Sequence, residues 1–349
     1  MKTYFAQKIE EWYALYGRKL PWRETNDPYQ IWVSEIILQQ TRVVQGMDYF
    51  VRFIERFPDV KSLSRAEEDE VLRLWQGLGY YSRARNMHKA AKQIQERSGI
   101  FPDTYEEIRS LAGIGDYTAS AIMSFAYGKP YAVVDGNVYR ILARTQGIDL
   151  PIDSTQGKKL FGAMAQELMD KQSPALYNQA IMDFGALQCT PKGCDCTICP
   201  LIEICTARKE GRVDELPVKV HKTSVRERHL IYINIKDKHG NMLLHKRGKG
   251  DIWESLYELP CMENGIPDEL WLKTMIEEGG ELTLRKKGVK HQLTHQLLIA
   301  DLYELSVPFN LEDWMKNNED LMRKTEYQCI HELYKEKYAM PRLVHSLLS

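Results

Sequence analysis

Residues 111–121 read LAGIGDYTASA and lie between two helical patterns. Gly113 and Gly115 stand two residues apart, and glycine readily adopts the backbone angles of a tight turn between helices. Backbone N–H groups at the start of a helix bind anions such as phosphate. An ordinary turn between helices would use the same residues. The two glycines alone therefore do not distinguish a phosphate-binding turn from an ordinary one.

An acidic residue comes after this turn and after an apolar run. Asp135 lies twenty residues beyond Gly115 and directly precedes Gly136 and Asn137. An acid at such a position is expected to be partly buried and exposed at a turn, which makes it a candidate for catalysis. The alternative is that Asp135 only caps the next helix.

Four cysteines form a compact set with six, two and five residues between them: Cys189, Cys196, Cys199 and Cys205. Thiolates at such close spacing suit an iron–sulfur cluster or a structural zinc ion. The uneven spacing favours the cluster, because zinc sites more often show two CxxC-like pairs. Cys194 lies in the loop between Cys189 and Cys196; it could compete as a ligand, but it is expected to be a bystander. Disulfides are less expected, since the seven cysteines are odd in number and no secretory leader is visible.

Length and composition indicate two domains of ordinary globular character. The 349 residues have 44% hydrophobic and 27% charged content, with a net charge of −1. A protein that coats nucleic acid through overall basic charge is therefore excluded, but a local DNA-binding patch is not. No apolar run is long enough for a membrane span. We expect no membrane association and a cytoplasmic location, at the nucleoid if the source is bacterial.

The pattern along the chain changes once. Apolar residues recur at helical spacing from about residue 5 to residue 208, which predicts roughly ten helices. We expect a helical region at 1–207, an interdomain linker at 208–227, and an α+β domain at 228–349. Within the last domain, strands are predicted at 229–235, 242–245 and 297–303, and helices near 267–277 and 340–348.

Together these motifs resemble the helix-hairpin-helix DNA glycosylase superfamily with an iron–sulfur cluster, and within it the adenine DNA glycosylases of the MutY type. Further matching segments are LPWR at 20–23, SEIILQQT at 34–41, GLGYYSRARN at 77–86 and DGN at 135–137. The resemblance implies an all-α helix-hairpin-helix glycosylase domain, a six-helix barrel with an iron–sulfur module, followed by a C-terminal α+β Nudix-like domain. Ala112 departs from the family, whose hairpin usually has proline there.

The chemistry of base excision suits two carboxyl groups. One protonates the departing purine and the other stabilises the cationic sugar, as in glycoside hydrolysis. Glu35 lies in an apolar helical stretch, and burial raises a carboxyl pKa toward neutrality. The resemblance implies that Glu35 is the acid, that Asp135 stabilises the cation or forms a transient covalent bond, and that Asn137 positions sugar and water. Without the resemblance, Glu35 could equally be an exposed or cap-adjacent helix glutamate.

Tyr117 decides the expected product. Related bifunctional enzymes have a lysine at this position, which attacks the sugar and then cleaves the strand. Tyrosine cannot form a Schiff base, so we expect a monofunctional glycosylase that leaves an abasic site. The family gives Tyr117 a role beside Asp135, whereas a packing role is the plain alternative.

The resemblance also implies contacts to DNA. Gln40 and Tyr80 match intercalating positions beside the opposing 8-oxoguanine. Arg83, Arg85 and Lys89 are expected near phosphates, with a solvated charged surface as the plain alternative. The hairpin glycines, Gly113 and Gly115, would grip the backbone. The adenine pocket would include Leu20, Trp22, Arg23 and Gln179.

The C-terminal domain is expected to check the opposing base. The family's Phe-Ser-His loop reads Leu293-Thr294-His295 here, which retains Thr294 and His295 as candidates but loses the aromatic ring. The glutamates of a catalytic Nudix box are missing, so binding without pyrophosphate hydrolysis is expected. The implied cofactor is one 4Fe–4S cluster on the four spaced cysteines. The implied partner is double-stranded DNA with A:8-oxoguanine or A:G mispairs, bound by a monomer.

Two rival functions remain open from the sequence. An endonuclease III-like enzyme would act on oxidised pyrimidines and cleave the strand. A non-enzymatic damage-binding protein would use the same carboxylates only for structure.

Overall fold

The computed structural model describes residues 3–220, 224–263, 269–322 and 326–349 and divides the chain into two compact units. One unit contains Met1–Arg65 and Lys89–Lys222, and the other contains Ala66–His88 and Thr223–Ser349. The predicted helical region is confirmed, and residues 3–220 contain no strand. Its α-helices are α1 Tyr4–Tyr16, α2 Pro28–Leu38, α3 Val43–Arg56, α4 Val60–Arg65, α5 Glu68–Trp75, α6 Ser82–Arg97, α7 Tyr105–Arg109, α8 Asp116–Phe125, α9 Gly136–Gln146, α10 Thr155–Leu168, α11 Pro174–Leu187 and α12 Thr206–Lys209.

The core of the first unit forms where α1, α9, α10 and α11 bury their apolar faces. On α1, Phe5, Ile9 and Trp12 follow helical spacing and are all buried. Trp12 packs edge-on against Phe184 of α11, with ring centroids 5.1 Å apart. Each such buried side chain contributes roughly 1.5–3 kcal/mol, so this core fixes α9 and α11, two of the helices that carry the site.

The hairpin lies between α7 and α8. Gly113 has φ +75° and turns the chain, and Gly115 is the N-cap of α8. The Ala112 N–H donates to Gln93 Oε1 at 2.8 Å, so this donor is already used within the protein. The first N–H groups of α8 have no intrahelical acceptors, as at every helix start. The exposed glycines therefore lie at a helix end that suits an anion, and their contact with a DNA phosphate stays a prediction.

The segment after α12 is more ordered than an interdomain linker would be. Leu216 is buried, and its carbonyl accepts from Arg144 Nε at 3.0 Å. The Val218 carbonyl accepts from the Ile152 N–H at 3.1 Å. Residues 208–220 of the predicted linker therefore belong to the first unit and are held to it through Leu216 and Val218. Residues 221–223 lie outside the described part of the chain.

The second unit is built around a mixed sheet. Its central strands β1 and β6 run parallel, and the strand order is β3-β2-β1-β6-β5, with β4 paired to β1 and β7 paired to β2. The strands are β1 Arg226–Asp237, β2 Asn241–Lys246, β3 Tyr257–Glu258, β4 Cys261–Glu263, β5 Glu281–Gln292, β6 Gln296–Val307 and β7 Tyr327–His331; the helices are α13 Leu270–Glu277, α14 Leu311–Asn317, α15 Glu319–Met322 and α16 Arg342–Leu348.

Alternation along β1 gives the sheet two apolar faces. Leu230 and Tyr232 belong to one buried cluster, which also contains residues of α16. Ile233 and Ile235 belong to the other, which contains residues of α13 and α14. Side chains of a strand point alternately to opposite faces, so helices can cover both sides. The α+β prediction is confirmed.

Several elements of this unit were not predicted from the sequence: β3, β4, β5, β7, α14 and α15. Most of the twelve β5 residues are exposed, and they include four lysines and arginines, so apolar alternation is absent. The strand exists because its backbone pairs with β6, and charged edge strands of this kind resist aggregation. The helix predicted near 267–277 is α13; residues 267 and 268 lie outside the described chain.

No helix within the described residues is long and apolar enough to cross a membrane.

Candidate active site and cysteine cavity

A cavity of about 790 Å³ lies in the first unit, between α2, the start of α8, the start of α9 and α11. It has ample room for a purine base. Nine of the predicted site residues line it: Leu20, Trp22, Arg23, Glu35, Gln40, Tyr117, Asp135, Asn137 and Gln179. Residues separated by more than 150 positions in the chain are thus brought to one place.

Glu35 is the buried acid of this cavity. Its side chain lies on α2 and only 5% of the residue is exposed. Burial raises the pKa of Glu35 to about 7, although the Tyr117 hydroxyl donates to Oε2 at 2.8 Å and opposes the shift. Near neutral pH a large share of Glu35 therefore carries a proton that it can give to a base.

Asp135 both caps α9 and faces the cavity. Its Oδ1 accepts from the N–H groups of Asn137 and Val138, at 2.9 and 2.8 Å, and its Oδ2 accepts from Asn137 Nδ2 at 2.8 Å. Burial raises the pKa of Asp135, and these hydrogen bonds oppose the rise because they favour the charged form. The capping alternative and the cavity position are therefore compatible.

Arg140 is a site residue that the sequence analysis missed. Its Nη2 donates to Asn137 Oδ1 at 2.8 Å, and its Nε donates to the Cys189 carbonyl at 2.8 Å. Arg140 is buried, and its hydrogen bonds hold Asn137 in place relative to Cys189, where the loop to Cys196 begins. Its position one helical turn after Asn137, on the same face of α9, was the available signal.

A further carboxylate, which was also not predicted from the sequence, holds Arg23 at the wall of the cavity. Asp183 on α11 is fully buried and binds Arg23 through two hydrogen bonds of 2.8 Å. Arg18 also pairs with Asp183. Burial by itself would raise the pKa of Asp183, but the two arginines outweigh burial and hold it at about 2. Arg23 is thus an ordered wall of the cavity, and Gln179 beside it accepts from the Tyr13 hydroxyl at 3.2 Å.

The four spaced cysteines line one small cavity together with Cys194. Arg144 closes it: its Nη1 lies 3.4 Å from Cys189 Sγ and donates to the Thr190 carbonyl at 2.7 Å. Four soft thiolates beside a buried arginine fit the chemistry of an iron–sulfur cluster, whose net negative charge a guanidinium offsets. Within the described chain, no three potential ligands are grouped around the position of a single metal ion; a 4Fe–4S cluster instead gives each cysteine its own iron.

The second unit has its own cavity, of about 500 Å³. Tyr80, Thr294 and His295 line it, and the Tyr80 hydroxyl is hydrogen-bonded to Thr294 Oγ1. Tyr80 has φ +47°, and in the first unit Gln40 has φ +56°. Non-glycine residues in this left-handed region carry backbone strain, which proteins concentrate at functional positions. Both predicted intercalating residues therefore stand out by their backbone.

The arginines of the 77–86 segment are engaged within the second unit. Arg85 Nη1 donates to the Glu254 carbonyl at 2.6 Å, and Arg85 Nη2 lies 3.3 Å from Glu254 Oε2. The Arg83 guanidinium lies over the rings of Trp75 and Tyr80, at 5.2 and 5.8 Å. Arg83 also donates to the Gly79 carbonyl at 3.1 Å, next to Tyr80. Both arginines thus have protein partners, and their contact with phosphates stays a prediction.

Comparison with known proteins agrees with a helical region followed by a C-terminal domain built around a sheet. Residues 33–161 match the model of the HhH-GPD superfamily of base excision DNA repair proteins, and residues 231–349 match the NUDIX domain model. A thermostable thymine-DNA glycosylase is similar in structure, with a TM-score of 0.55 and 26% identity over 59% of this chain and 95% of that one. An endonuclease III–DNA complex has the same fold, at a TM-score of 0.52 and 20% identity, covering 60% of this chain and 95% of that one.

Curated relatives extend the similarity to nearly the whole chain. The adenine DNA glycosylase of Buchnera aphidicola subsp. Schizaphis graminum is 35% identical over 348 residues, covering 95% of this chain and 99% of its own. The adenine DNA glycosylase of Homo sapiens is 38% identical over 224 residues, covering 61% of this chain and 41% of its own. With its hairpin, its carboxyl pair and its Nudix-like sheet, the chain belongs to the adenine DNA glycosylases, the base excision repair enzymes that hydrolyse the N-glycosyl bond of adenine.

Proposed function

We propose that this chain excises adenine mispaired with 8-oxoguanine, and with guanine, and that it leaves an abasic site without cutting the strand. The observation that carries this proposal is the convergence of Glu35, Tyr117 and Asp135 on one cavity large enough for a purine. An enzyme that acts on a base must first take it out of the duplex stack, and this cavity would receive the extruded adenine.

Glu35 acts as the general acid. Its raised pKa, about 7, supplies a proton near neutral pH to a ring nitrogen of adenine, N7 in the family. Protonation makes the base a better leaving group, and the N-glycosyl bond then breaks. Arg23, held by Asp183, and Gln179 form the wall of the cavity against which the base would be oriented.

Asp135 acts on the sugar. Its carboxylate, held by three hydrogen-bond donors from Asn137 and Val138, stabilises the oxocarbenium character or traps the sugar transiently. Asn137 is fixed in turn by Arg140. The two carboxyl groups therefore divide the work: the protonated one serves the base, and the ionised one serves the sugar.

The monofunctional outcome is supported by the residues of the cavity. A glycosylase that also cleaves the strand needs an amine to form a Schiff base with the sugar. Among the described residues that line the cavity there is no lysine, and Tyr117 points its hydroxyl at Glu35. Water is therefore the proposed final acceptor of the sugar.

Recognition of the opposing base is proposed for the second unit. Tyr80 and Thr294, hydrogen-bonded to each other, line a cavity with His295 that could take the edge of 8-oxoguanine. Thr294 supplies a hydroxyl that can donate or accept. Gln40 of the first unit and Tyr80 are the proposed intercalating side chains that fill the gap left by the extruded base.

One 4Fe–4S cluster is proposed as the cofactor, held by Cys189, Cys196, Cys199 and Cys205. When bound, the cluster would supply cross-links that shape the loop between the first two cysteines for contact with DNA. Arg144, through its bonds to the Thr190 and Pro191 carbonyls, holds the same loop from the protein side.

The test is a single-turnover incubation with duplex DNA carrying adenine opposite 8-oxoguanine, compared with adenine opposite guanine and opposite thymine. Wild type and Asp135→Asn are assayed with and without alkali. We expect wild type to give strand breaks only after alkali, the thymine-paired duplex to react most slowly, and Asp135→Asn to lose activity.

Other outcomes would assign another function. Strand cleavage without alkali would support an endonuclease III-like lyase and contradict the proposed role of Tyr117. Tight binding without adenine release would indicate a damage-binding protein. Equal rates opposite 8-oxoguanine and thymine would overturn the proposed role of the second unit.

A further inference from the structure

Cys194 lies among the four spaced cysteines of the first unit. Its Sγ is 3.8 Å from Cys196 Sγ and 3.6 Å from Arg144 Nη1, the same nitrogen that lies 3.4 Å from Cys189 Sγ. It lines the same cavity as the four spaced cysteines and is only partly exposed. Five thiols therefore share a site at which a cluster needs four.

The backbone of the loop explains how Cys194 comes to face the cavity. Gly193, directly before it, has φ +65°, which turns the chain. The loop ahead of this turn is held by Arg144, whose Nη1 and Nη2 donate to the carbonyls of Thr190 and Pro191. The Asp195 carbonyl, directly after Cys194, accepts from Gln188 Nε2 at 2.7 Å. Cys194 is thus fixed from both sides.

We propose that Cys194 is an alternative ligand, interchangeable with Cys196 at one iron of the cluster. This inference rests on the proposal that the cavity holds a 4Fe–4S cluster. The exchange breaks one iron–sulfur bond to Cys196 and forms one to Cys194; the proton that Cys194 loses is taken up by Cys196. No electron is transferred, so no oxidant is needed. Because the two sulfurs are 3.8 Å apart, a small side-chain rotation would exchange them.

The first experiment uses the wild-type protein, purified whole without oxygen. A thiol-alkylating reagent is added, and the peptide that contains both cysteines is sequenced by mass spectrometry. A cluster protects whichever cysteine is its ligand. We expect two singly alkylated populations, one modified at Cys194 and one at Cys196. Modification at Cys194 alone would overturn the proposal.

The second experiment measures iron and acid-labile sulfide in whole-chain variants. Cys194→Ala is expected to keep the wild-type content, and Cys196→Ala is expected to keep most of it. Cys199→Ala removes a ligand that Cys194 is not proposed to replace, and it is expected to lose the cluster. The double variant Cys194→Ala/Cys196→Ala is expected to lose it as well. Equal loss in Cys196→Ala and Cys199→Ala would contradict the proposal.

The two experiments separate failure of this inference from failure of the cluster proposal. Wild-type protein without iron and sulfide would overturn both. Wild type with a full cluster, together with Cys196→Ala without one, would overturn only the role of Cys194. The alkylation pattern needs no variant, so it remains decisive if Cys196→Ala does not fold.

Discussion

Two buried carboxyl groups of the first unit differ in their partners. Glu35 on α2 is 5% exposed and has a neutral donor, the Tyr117 hydroxyl, at 2.8 Å. Asp183 on α11 is fully buried and binds the guanidinium groups of Arg23 and Arg18. The pKa of Glu35 is raised to about 7, whereas that of Asp183 is lowered to about 2.

The difference shows that the partner of a buried acid, more than burial alone, decides its charge. Burial by itself acts to raise the pKa of both groups. Two guanidinium groups bonded to Asp183 outweigh that effect, whereas the Tyr117 hydroxyl and the charge of Arg23 do not outweigh it at Glu35. One carboxyl group is therefore a structural anion, and the other is a proton donor. Substitutions at these acids and at their partners test this contrast.

Substitution Glu35→Gln removes the proton donor while preserving shape. Since general acid catalysis contributes roughly 10²–10⁴-fold, we expect the single-turnover rate of adenine release at neutral pH to fall by about that factor. Glu24→Gln, at an exposed glutamate of the same unit, should keep the wild-type rate. A wild-type rate in Glu35→Gln would remove Glu35 from the mechanism.

Glu35→Gln should also change stability with a predictable sign. The folded pKa of Glu35, about 7, is above its ordinary value of 4.5, so ionised Glu35 destabilises the folded state. The stability that the protein has with Glu35 protonated is fully present below the ordinary pKa and is lost as pH rises through about 7. Above that pH we expect the free energy of unfolding of the variant to exceed that of wild type by up to about 3 kcal/mol. Urea denaturation at several pH values measures it.

Substitution Asp183→Asn should have the opposite consequence for stability. It leaves two guanidinium groups without their anion, and breaking a buried ion pair of this kind lowers the free energy of unfolding by about 3 kcal/mol. Asp149→Asn, which removes one of the exposed acidic partners of Arg212, should change the free energy of unfolding by less than about 1 kcal/mol. Similar urea midpoints for the two variants would refute the structural role of Asp183.

The rate of adenine release should depend on pH through Glu35. The protonated form is active, so we expect the rate to decline as pH rises above about 7, approaching about tenfold per pH unit. Single-turnover rates measure this falling limb of the pH–rate profile, over a range of about three pH units centred slightly above neutrality. A rate that stays constant over that range would indicate another acid.

Tyr117→Phe should move the falling limb of the pH–rate profile along the pH axis without removing it. The Tyr117 hydroxyl lowers the pKa of Glu35, because its hydrogen bond favours the ionised form. Without it the pKa rises further, and since one hydrogen bond contributes about 1 kcal/mol, the limb should move to higher pH by less than about one unit. Tyr127→Phe, whose hydroxyl donates to the Pro102 carbonyl, serves as control. A shift to lower pH would contradict the assigned hydrogen bond.

Much of the fold could be predicted from local pattern. Helical spacing predicted the helices between residues 4 and 209, although residues 66–88 group with the second unit, and apolar runs located β1, β2 and β6. The edge strand β5 was missed because its side chains are mostly exposed and charged, and only pairing with β6 makes it a strand. The order of residues 208–220 was also missed, since their charged sequence does not reveal that Leu216 is buried against the first unit.

The residues of the active site also fall into a group predicted from the sequence and a group that was not. Glu35, Tyr117 and Asp135 were named from motifs, and the cavity brings them together. Asp183 and Arg140 were not named: Asp183 acts only through arginines distant in sequence, and Arg140 joins its near neighbour Asn137 to a distant carbonyl. Asp183 lies 160 residues from Arg23, and Arg140 lies 49 residues from the Cys189 carbonyl that it binds.

Spacing and residue type were enough to set the helical and sheet regions, the hairpin turn and the inventory of chemical groups, because they govern local conformation and reactivity. Which acid keeps its proton, and which thiols share a cavity, depended on tertiary contacts. A pKa depends on burial and on the charges within a few ångströms, and those neighbours come from helices far apart in the chain. Glu35 and Asp183 are both single acids in apolar helices, and folding alone gives one a tyrosine and the other two arginines.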